Sequence, residues 1–304
     1  MSDQSAIEWT DATWNPVTGC TKVSSGCDHC YAETFFERFN GPGSFSTVTL
    51  HPDRLDRPLR WRKPRRVFVN SMSDLFHDDV PDSYIARVFA VMAWTPQHTY
   101  QILTKRHARM RSLLSSEEFQ ANVRWFHDVR DDMPTTRFPA GDLDVPAPGD
   151  PTLPLPNVWL GVSTENQKWA DIRIPALLET PAAVRWISAE PLLGPIDLHD
   201  INGVDAIEQD WNSGMGAPHP LLDWVVVGGE SGRGARPMHP CWARSIRDQC
   251  ADASVPFLFK QWGAFRPPID GDESGAHLAR VGKKAAGRVL DGRTWDQYPA
   301  EVTS

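Results

Sequence analysis

The chain has 304 residues, with 31 Lys and Arg against 39 Asp and Glu, a net charge of −8 and a pI near 5.7. A surface of that sign is not built as a whole to attract nucleic acid, so any such contact must come from a local patch. No apolar run reaches the length of a membrane span, and the start "MSDQSAIEWTDATWN" lacks a signal peptide's basic head and apolar centre, so the protein is read as soluble and cytoplasmic with no membrane partner.

Taken in chain order, short apolar runs alternate with longer amphipathic stretches. The strand candidates are 66–70 (RVFVN), 99–105 (TYQILTK), 157–164 (NVWLGVST), 184–190 (VRWISAE), 223–231 (DWVVVGGES) and 255–263 (VPFLFKQWG). Each is rich in β-branched or aromatic residues and unbroken, as expected for strands covered on both faces. Helical patterns fall at 81–94, 170–179 and 241–253. Repeated strand–helix alternation implies a parallel sheet with right-handed crossovers. About six such units in one chain predict an α/β fold, a full or partial (β/α) barrel over residues 1–264. Two insertions interrupt it: 127–157, Pro-rich and acidic, and 200–222, Gly-rich and polar. Residues 265–304 form a polar C-terminal extension, read as peripheral or partly disordered.

Ahead of the 66–70 strand, "RLDRPLRWRKPRR" (54–66) holds seven Lys or Arg around Trp61. It reads equally as a solvated segment before a buried strand or as a phosphate-contacting surface. The 13 Trp residues are assigned mainly to core or rim packing.

Nearly every strand candidate ends in polar residues: Ser71, Ser73 and Asp74; Thr104, Lys105 and Arg106; Ser163 and Glu165; Ser188 and Glu190; Glu230 and Ser231. In a (β/α) barrel all strand C-termini share one face, where active sites lie. Loop polarity explains some of these residues. It explains less well a lysine and several carboxylates placed directly beyond apolar strands.

The most concentrated chemistry is "GCTKVSSGCDHCYAE", residues 19–33, which puts three of five cysteines into eleven positions. An odd cysteine count in a reducing compartment argues for ligands or reactive thiols rather than disulfides. The spacing Cys20-x6-Cys27-x2-Cys30 leaves three readings open. Structural zinc wants four ligands, and His29 inside the knuckle is badly placed to be the fourth. A redox CxxC pair leaves Cys20 unexplained. An iron–sulfur cluster held by three thiolates leaves one iron open for a substrate or cofactor. Cys241 and Cys250 lie nine apart in a helical pattern and read most simply as packed thiols.

Several blocks together carry a family resemblance: "WNPVTGCTKVSSGCDHCYAE", "SMSDLFH", "ILTKR", "WLGVSTENQ", "SAEPLLGPI" and "VVVGGESG…ARPMHP…FKQWG". With the cysteine loop following an N-terminal strand and an aromatic residue after the third cysteine, they resemble the radical S-adenosylmethionine superfamily. More closely they resemble a phage- and prophage-associated family of largely uncharacterised proteins, labelled gp thirty-seven/sixty-eight. The likeness covers roughly residues 7 to 263. It departs from the superfamily in one respect: the usual spacing is CxxxCxxC, and here the first gap is six. Seven peptide steps could span about 24 Å, so the loop must fold back, and Ser24, Ser25 and Gly26 supply turn residues.

The resemblance implies that Cys20, Cys27 and Cys30 ligate a 4Fe–4S cluster whose open iron chelates S-adenosylmethionine. Reductive cleavage of that cofactor, driven by a reductant such as flavodoxin or ferredoxin, would release a 5′-deoxyadenosyl radical. Ser71, Ser73 and Asp74 stand where the superfamily's Gly-Gly-Glu segment contacts the methionine amino group, although Asp74 could instead cap the next helix. Ser163 and Glu165 stand where ribose contacts fall. Lys105, Glu190 and Glu230 are the candidates for catalytic or substrate contact. The literal "GGE" at 228–230 follows a later strand and is not equated with that segment. Phage association, the basic stretch and the aromatics point to a nucleic-acid base or nucleotide as substrate, for modification or repair, with a peptide or small metabolite as the alternative. A base within a duplex would have to be flipped out.

Two readings from other classes make different predictions. A glycosidase would use Glu190 and Glu230 with carboxyls about 5 to 10 Å apart and leave the cysteine loop idle. A zinc-stabilised nucleic-acid-binding protein without radical chemistry would use the 54–66 stretch and hold no iron.

Overall fold

The computed structural model describes residue 5 and residues 7–128, 151–208, 221–267 and 278–300. The elements in chain order are β1 (Ala12–Trp14), β2 (Val17–Thr18), α1 (Tyr31–Asn40), β3 (Thr49–Leu50), β4 (Arg66–Val69), α2 (Asp82–Trp94), β5 (Thr99–Thr104), α3 (His107–Leu114), α4 (Glu117–Asp128), β6 (Val158–Ser163), α5 (Gln167–Leu178), β7 (Val184–Ala189), β8 (Trp224–Gly228), α6 (Pro240–Asp252), β9 (Phe257–Gln261), β10 (Phe265–Arg266), β11 (Ala279–Arg280) and α7 (Lys283–Ala286). Seven strands form one sheet in the order β1-β4-β5-β6-β7-β8-β9, every neighbouring pair parallel. Because each strand pairs with the next one in sequence, the sheet winds in one direction. Among the described residues β1 and β9 do not close on each other, and the fold is a partial (β/α) barrel.

All six strand candidates form, each trimmed by a residue or more. The three helical patterns become α2, α5 and α6. The first sheet strand is three residues long, and α3 and α4 sit on sequence whose apolar stripes are thin. The insertion expected at 127–157 falls mostly outside the described residues, as do 209–220 of the second.

Strand parity explains the interior. On β4, Val67 and Val69 face the helices while Phe68 faces inward. On β8, Val225 and Val227 face the helices while Trp224 and Val226 face inward. Carried across the sheet, the same alternation sends Trp159, Trp186, Trp224 and Leu258 into one inner cluster, which Trp9 joins from the N-terminal segment. Trp9 meets Phe68, Trp186 and Trp224 edge-on at 4.6, 5.2 and 6.1 Å between ring centroids, a preferred aromatic geometry. Gly161 makes this layer possible, since a Cβ there would stand 2.4 Å from the Trp186 ring. Towards the strand C-termini the inward positions turn polar, at Asn70, Lys105, Ser163, Ser188, Glu230 and Lys260.

The C-terminal extension is not peripheral where it is described. Leu258 and Asp296 form an antiparallel bridge, Phe259 N–H donates to the Trp295 carbonyl at 3.0 Å, and Tyr298 stacks at 5.4 Å on Trp224. These contacts cover the open edge of β9, which would otherwise present unpaired backbone groups. No helix among the described residues is long and apolar enough to cross a membrane.

Candidate functional site

The strand C-termini open onto two adjoining cavities of about 150 Å³ each. The first is lined by Cys20, Cys27 and Cys30 with Ser71, Ser73, Asp74, Lys105, Arg106 and Ser163. The second is lined by Trp9, Ser188, Glu190, Glu230, Ser231 and Lys260. Cys30, Tyr31, Phe68, Leu103, Lys105 and Ser163 border both. Residues spread over more than two hundred positions therefore meet on one face. The basic stretch 54–66 borders neither cavity, and its exposed Arg62 and Lys63 precede β4 at the opposite end of the sheet. A phosphate contact from there would not reach the site.

The cysteine loop runs from β2 to α1. Cys20 N–H donates to the Phe45 carbonyl at 2.8 Å. Cys27 closes a short 3₁₀ turn, and Cys30 is the N-cap of α1, where the helix dipole favours a thiolate. All three thiols are free and partly exposed. Burial, with the Asp74 carboxylate adding to it, pushes the Cys20 thiol up to about 11, while Arg106 opposes the rise. Burial also raises Cys30, against the pull of the Glu33 and Ala32 amides. Burial thus favours the protonated form of Cys20 and Cys30, so a metal group binding there must displace those protons. Among the described residues, no fourth cysteine and no histidine line the first cavity. Among the described residues, ligand atoms of three His, Cys, Asp or Glu side chains gather within 4.8 Å of one another at His199, Asp205 and Glu208, and not at the three cysteines.

Three arginines, two from the segments after β5 and β8 and one from helix α5, fasten this loop. Arg106, after β5, donates to Cys20 Sγ at 3.5 Å, to Asp74 Oδ2 at 3.2 Å and to the Thr21 carbonyl and hydroxyl at 3.2 and 2.9 Å. Arg173, on α5, holds Glu165 at 2.9 Å in a pair that is fully buried. Glu165 in turn accepts from the Ser24 hydroxyl at 2.6 Å. Gly26 rests directly on that carboxylate; a Cβ there would lie 2.2 Å from Oε1. Arg236, after β8, pairs with both Glu230 oxygens and reaches the Ser25 carbonyl at 2.8 Å and Asp28 at 3.1 Å. The six-residue gap that distinguishes this loop is thus folded back by cross-links from the barrel rim.

The other candidates divide by what already occupies them. Asp74 takes four hydrogen bonds, from Thr104, Phe76 N–H, Lys105 N–H and Arg106. Ser73 donates to the Val17 carbonyl and Ser71 to Asn15. Glu165 lines neither cavity and lies behind the loop. Glu190 pairs with Lys260 at 2.8 Å and accepts from Gln261 at 3.1 Å. Lys105 donates to Ser163 Oγ at 3.0 Å and is 3.9 Å from Glu165, leaving its ammonium less committed than the Arg106 guanidinium beside it. Buried polar atoms without a partner among the described residues include Asn70 Nδ2 at the first cavity and Trp9 Nε1 at the second. Cys241 and Cys250 stand apart on α6. Cys250 is packed, its thiol pushed up to about 12 by burial, whereas Cys241 is exposed rather than packed.

Sequence reasoning passed over Trp9, Asn70, Arg173 and Arg236, and noticed Arg106 only as a polar strand end. Arg173 left a trace: it falls among Ala170, Ile174 and Leu177 on the buried stripe of α5, where a lone arginine requires a partner.

A partial (β/α) barrel with a three-cysteine cavity at its strand C-termini is the class that fold and site define. The sequence matches, over residues 4–299, the family described as protein of unknown function (DUF5131), and the chain belongs to that family. No curated protein matches it. Among solved structures it is similar to a cysteine-to-serine mutant of spore photoproduct lyase, with a TM-score of 0.41 and 13% identity over 74% of this chain and 57% of that one. A double mutant of the same lyase with bound AdoMet and dinucleoside spore photoproduct gives 0.38 and 11%, over 71% and 55%. The lyase complexed with dinucleoside spore photoproduct gives 0.37 and 11%, over 77% and 58%. The chain therefore spans less than two thirds of each of these proteins. None of these matches carries the phage-associated label.

Proposed function

We propose that this protein is a radical S-adenosylmethionine-type enzyme acting on a nucleic-acid base or nucleotide. The observation that carries the reading is the donor set: three free thiols around one cavity, with no fourth Cys or His lining it among the described residues. Tetrahedral zinc, with Zn–S bonds of about 2.3 Å, would draw its thiolates to roughly 4 Å from one another and take a fourth ligand. The three sulfurs are not among the described ligand atoms that gather within 4.8 Å of one another, so they are not drawn into such a set. A 4Fe–4S cluster accepts a wider triad and keeps one iron open. The residues present fit that group.

Cys20, Cys27 and Cys30 would hold the cluster. When bound, cluster and S-adenosylmethionine supply a 5′-deoxyadenosyl radical on delivery of one electron from a reductant such as flavodoxin or ferredoxin. The chain's own residues bind and orient. Ser71, Ser73 and Ser163 border the cavity beside the thiols, and Lys105 offers an ammonium for a carboxylate or phosphate. Asp74 and Glu165 act through the residues they hold, Arg106 and the Ser24–Gly26 turn. The second cavity takes the substrate. Phe68, Leu103 and Trp9 give it an apolar side suited to a planar ring, and Glu190 with Lys260 and Glu230 with Arg236 give it ordered polar groups.

The test is anaerobic purification with iron, zinc and sulfide analysis, Cys27→Ala alongside. About four irons and four sulfides per chain, lost in the variant, are expected, followed by 5′-deoxyadenosine release under reduction. One zinc and no sulfide would overturn the reading.

A further inference from the structure

We infer that Arg106 is the positioning residue for the first cluster ligand: it fixes the Cys20 side chain and, by donating to its sulfur, raises the reduction potential of the group bound there. This rests on the proposal above that the three cysteines hold an iron–sulfur cluster.

Cys20 needs an anchor of its own. Cys27 and Cys30 share a tight turn and a helix start, whereas Cys20 lies across the six-residue gap. Its backbone is held through the Phe45 carbonyl, and its side chain meets a single strong donor, the Arg106 guanidinium at 3.5 Å. That guanidinium is held from behind. The Asp74 carboxylate takes one of its nitrogens and Thr21 takes the other through carbonyl and hydroxyl. The Thr21 hydroxyl is itself bonded to His77 Nε2 at 2.8 Å. Arg106 and Asp74 side chains are each only 8% exposed. Four contacts use both terminal nitrogens, so Arg106 is already committed within the protein and is not the cation that would take a substrate group; Lys105 beside it, held by the Ser163 hydroxyl at 3.0 Å and by Glu165 only at 3.9 Å, is the better placed for that.

A cationic N–H donor on a cysteinyl sulfur draws charge from the metal–sulfur bond. Reduction adds negative charge to the cluster, so the reduced form gains more from the donor than the oxidised form does. Removing the donor must therefore make the potential more negative. A residue that merely braced the loop would alter stability without moving the potential.

The deciding experiment is an EPR-monitored redox titration of the anaerobically reconstituted full chain. Arg106→Gln and Arg106→Lys are compared with wild type and with Arg111→Gln, whose exposed pair with Glu179 lies outside the site. The midpoint potential should move negative in Arg106→Gln, less so in Arg106→Lys, and not in Arg111→Gln. Iron retained after a chelator challenge should fall several-fold in the same order. An unchanged potential in Arg106→Gln, whatever its iron retention, overturns the inference. Should that variant not fold, judged by thermal unfolding of the metal-free protein, Arg106→Lys decides by the same criterion. Wild type without iron defeats the cluster proposal itself, a separate result read before any variant is made.

Discussion

At the N-terminal end of the half-barrel, Trp186 and Trp224 are fully buried, and Trp9, 2% exposed, meets both edge-on. At the C-terminal end of the same strands, the inward positions are Lys105, Ser163, Glu190, Glu230 and Lys260, and the carboxylates among them each hold a cation. The first region is organised by volume: any side chain of the right size and shape would serve it. The second is organised by pairing, since a charge taken from water must find its partner or be lost. One strand thus carries two separable jobs, a plug that holds the sheet curved and a rim that fastens the cysteine loop.

Substitutions can break that division. Trp186→Ala should cost the most stability, about 4 kcal/mol by chemical denaturation, because it empties the centre of the plug. If the two regions are separable, its folded fraction will still bind iron. Arg173→Met should cost about 3 kcal/mol by taking from the buried Glu165 its close cation and leaving it the Ser24 hydroxyl and Lys105 at 3.9 Å. Adding Glu165→Leu should recover roughly half of that loss, since both charges are then gone, yet neither variant should hold iron normally, because Ser24 and Gly26 lose their seat. Glu230→Gln should cost no more than about 1 kcal/mol, as Arg236 is partly solvated, but it should speed iron loss on desalting by freeing the Ser25–Asp28 turn. A large stability loss with unchanged iron binding would contradict the pairing account of the rim.

The smallest expected effect is a control outside both regions. His199 Nδ1 donates to Asp205 Oδ2 at 2.6 Å, and the hydrogen bond to that carboxylate raises the histidine's pKa. A raised histidine contributes stability in full below its unfolded value of about 6.5 and loses it as pH rises through the higher folded value. Asp205→Asn should therefore lower the melting temperature at about pH 5.5 by an amount equivalent to at most about 1 kcal/mol, and leave it unchanged at about pH 9. Iron content should not respond at either pH.

What the chain's pattern made legible follows from these two regimes. Unbroken apolar runs placed β4 to β9, and their alternation with helical patterns implied the parallel order and the shared polar face, because composition over a few consecutive residues is a local property. The cysteine triad was legible for the same reason: its ligands lie within eleven positions. The short β1 offered too few residues for a pattern, and the C-terminal extension reads as polar although Trp295 and Tyr298 tie it to β9 and Trp224.

The sequence by itself thus determined the barrel class, the rim residue types and the presence of a thiol site. Only the tertiary structure decided which charges hold the loop: Glu165 meets Ser24 from 141 positions away, and Arg236 meets Ser25 from 211. The physical reason is that periodicity records which face of an element is buried, whereas an ion pair depends on distance in space and on desolvation, and neither leaves a trace in spacing along the chain.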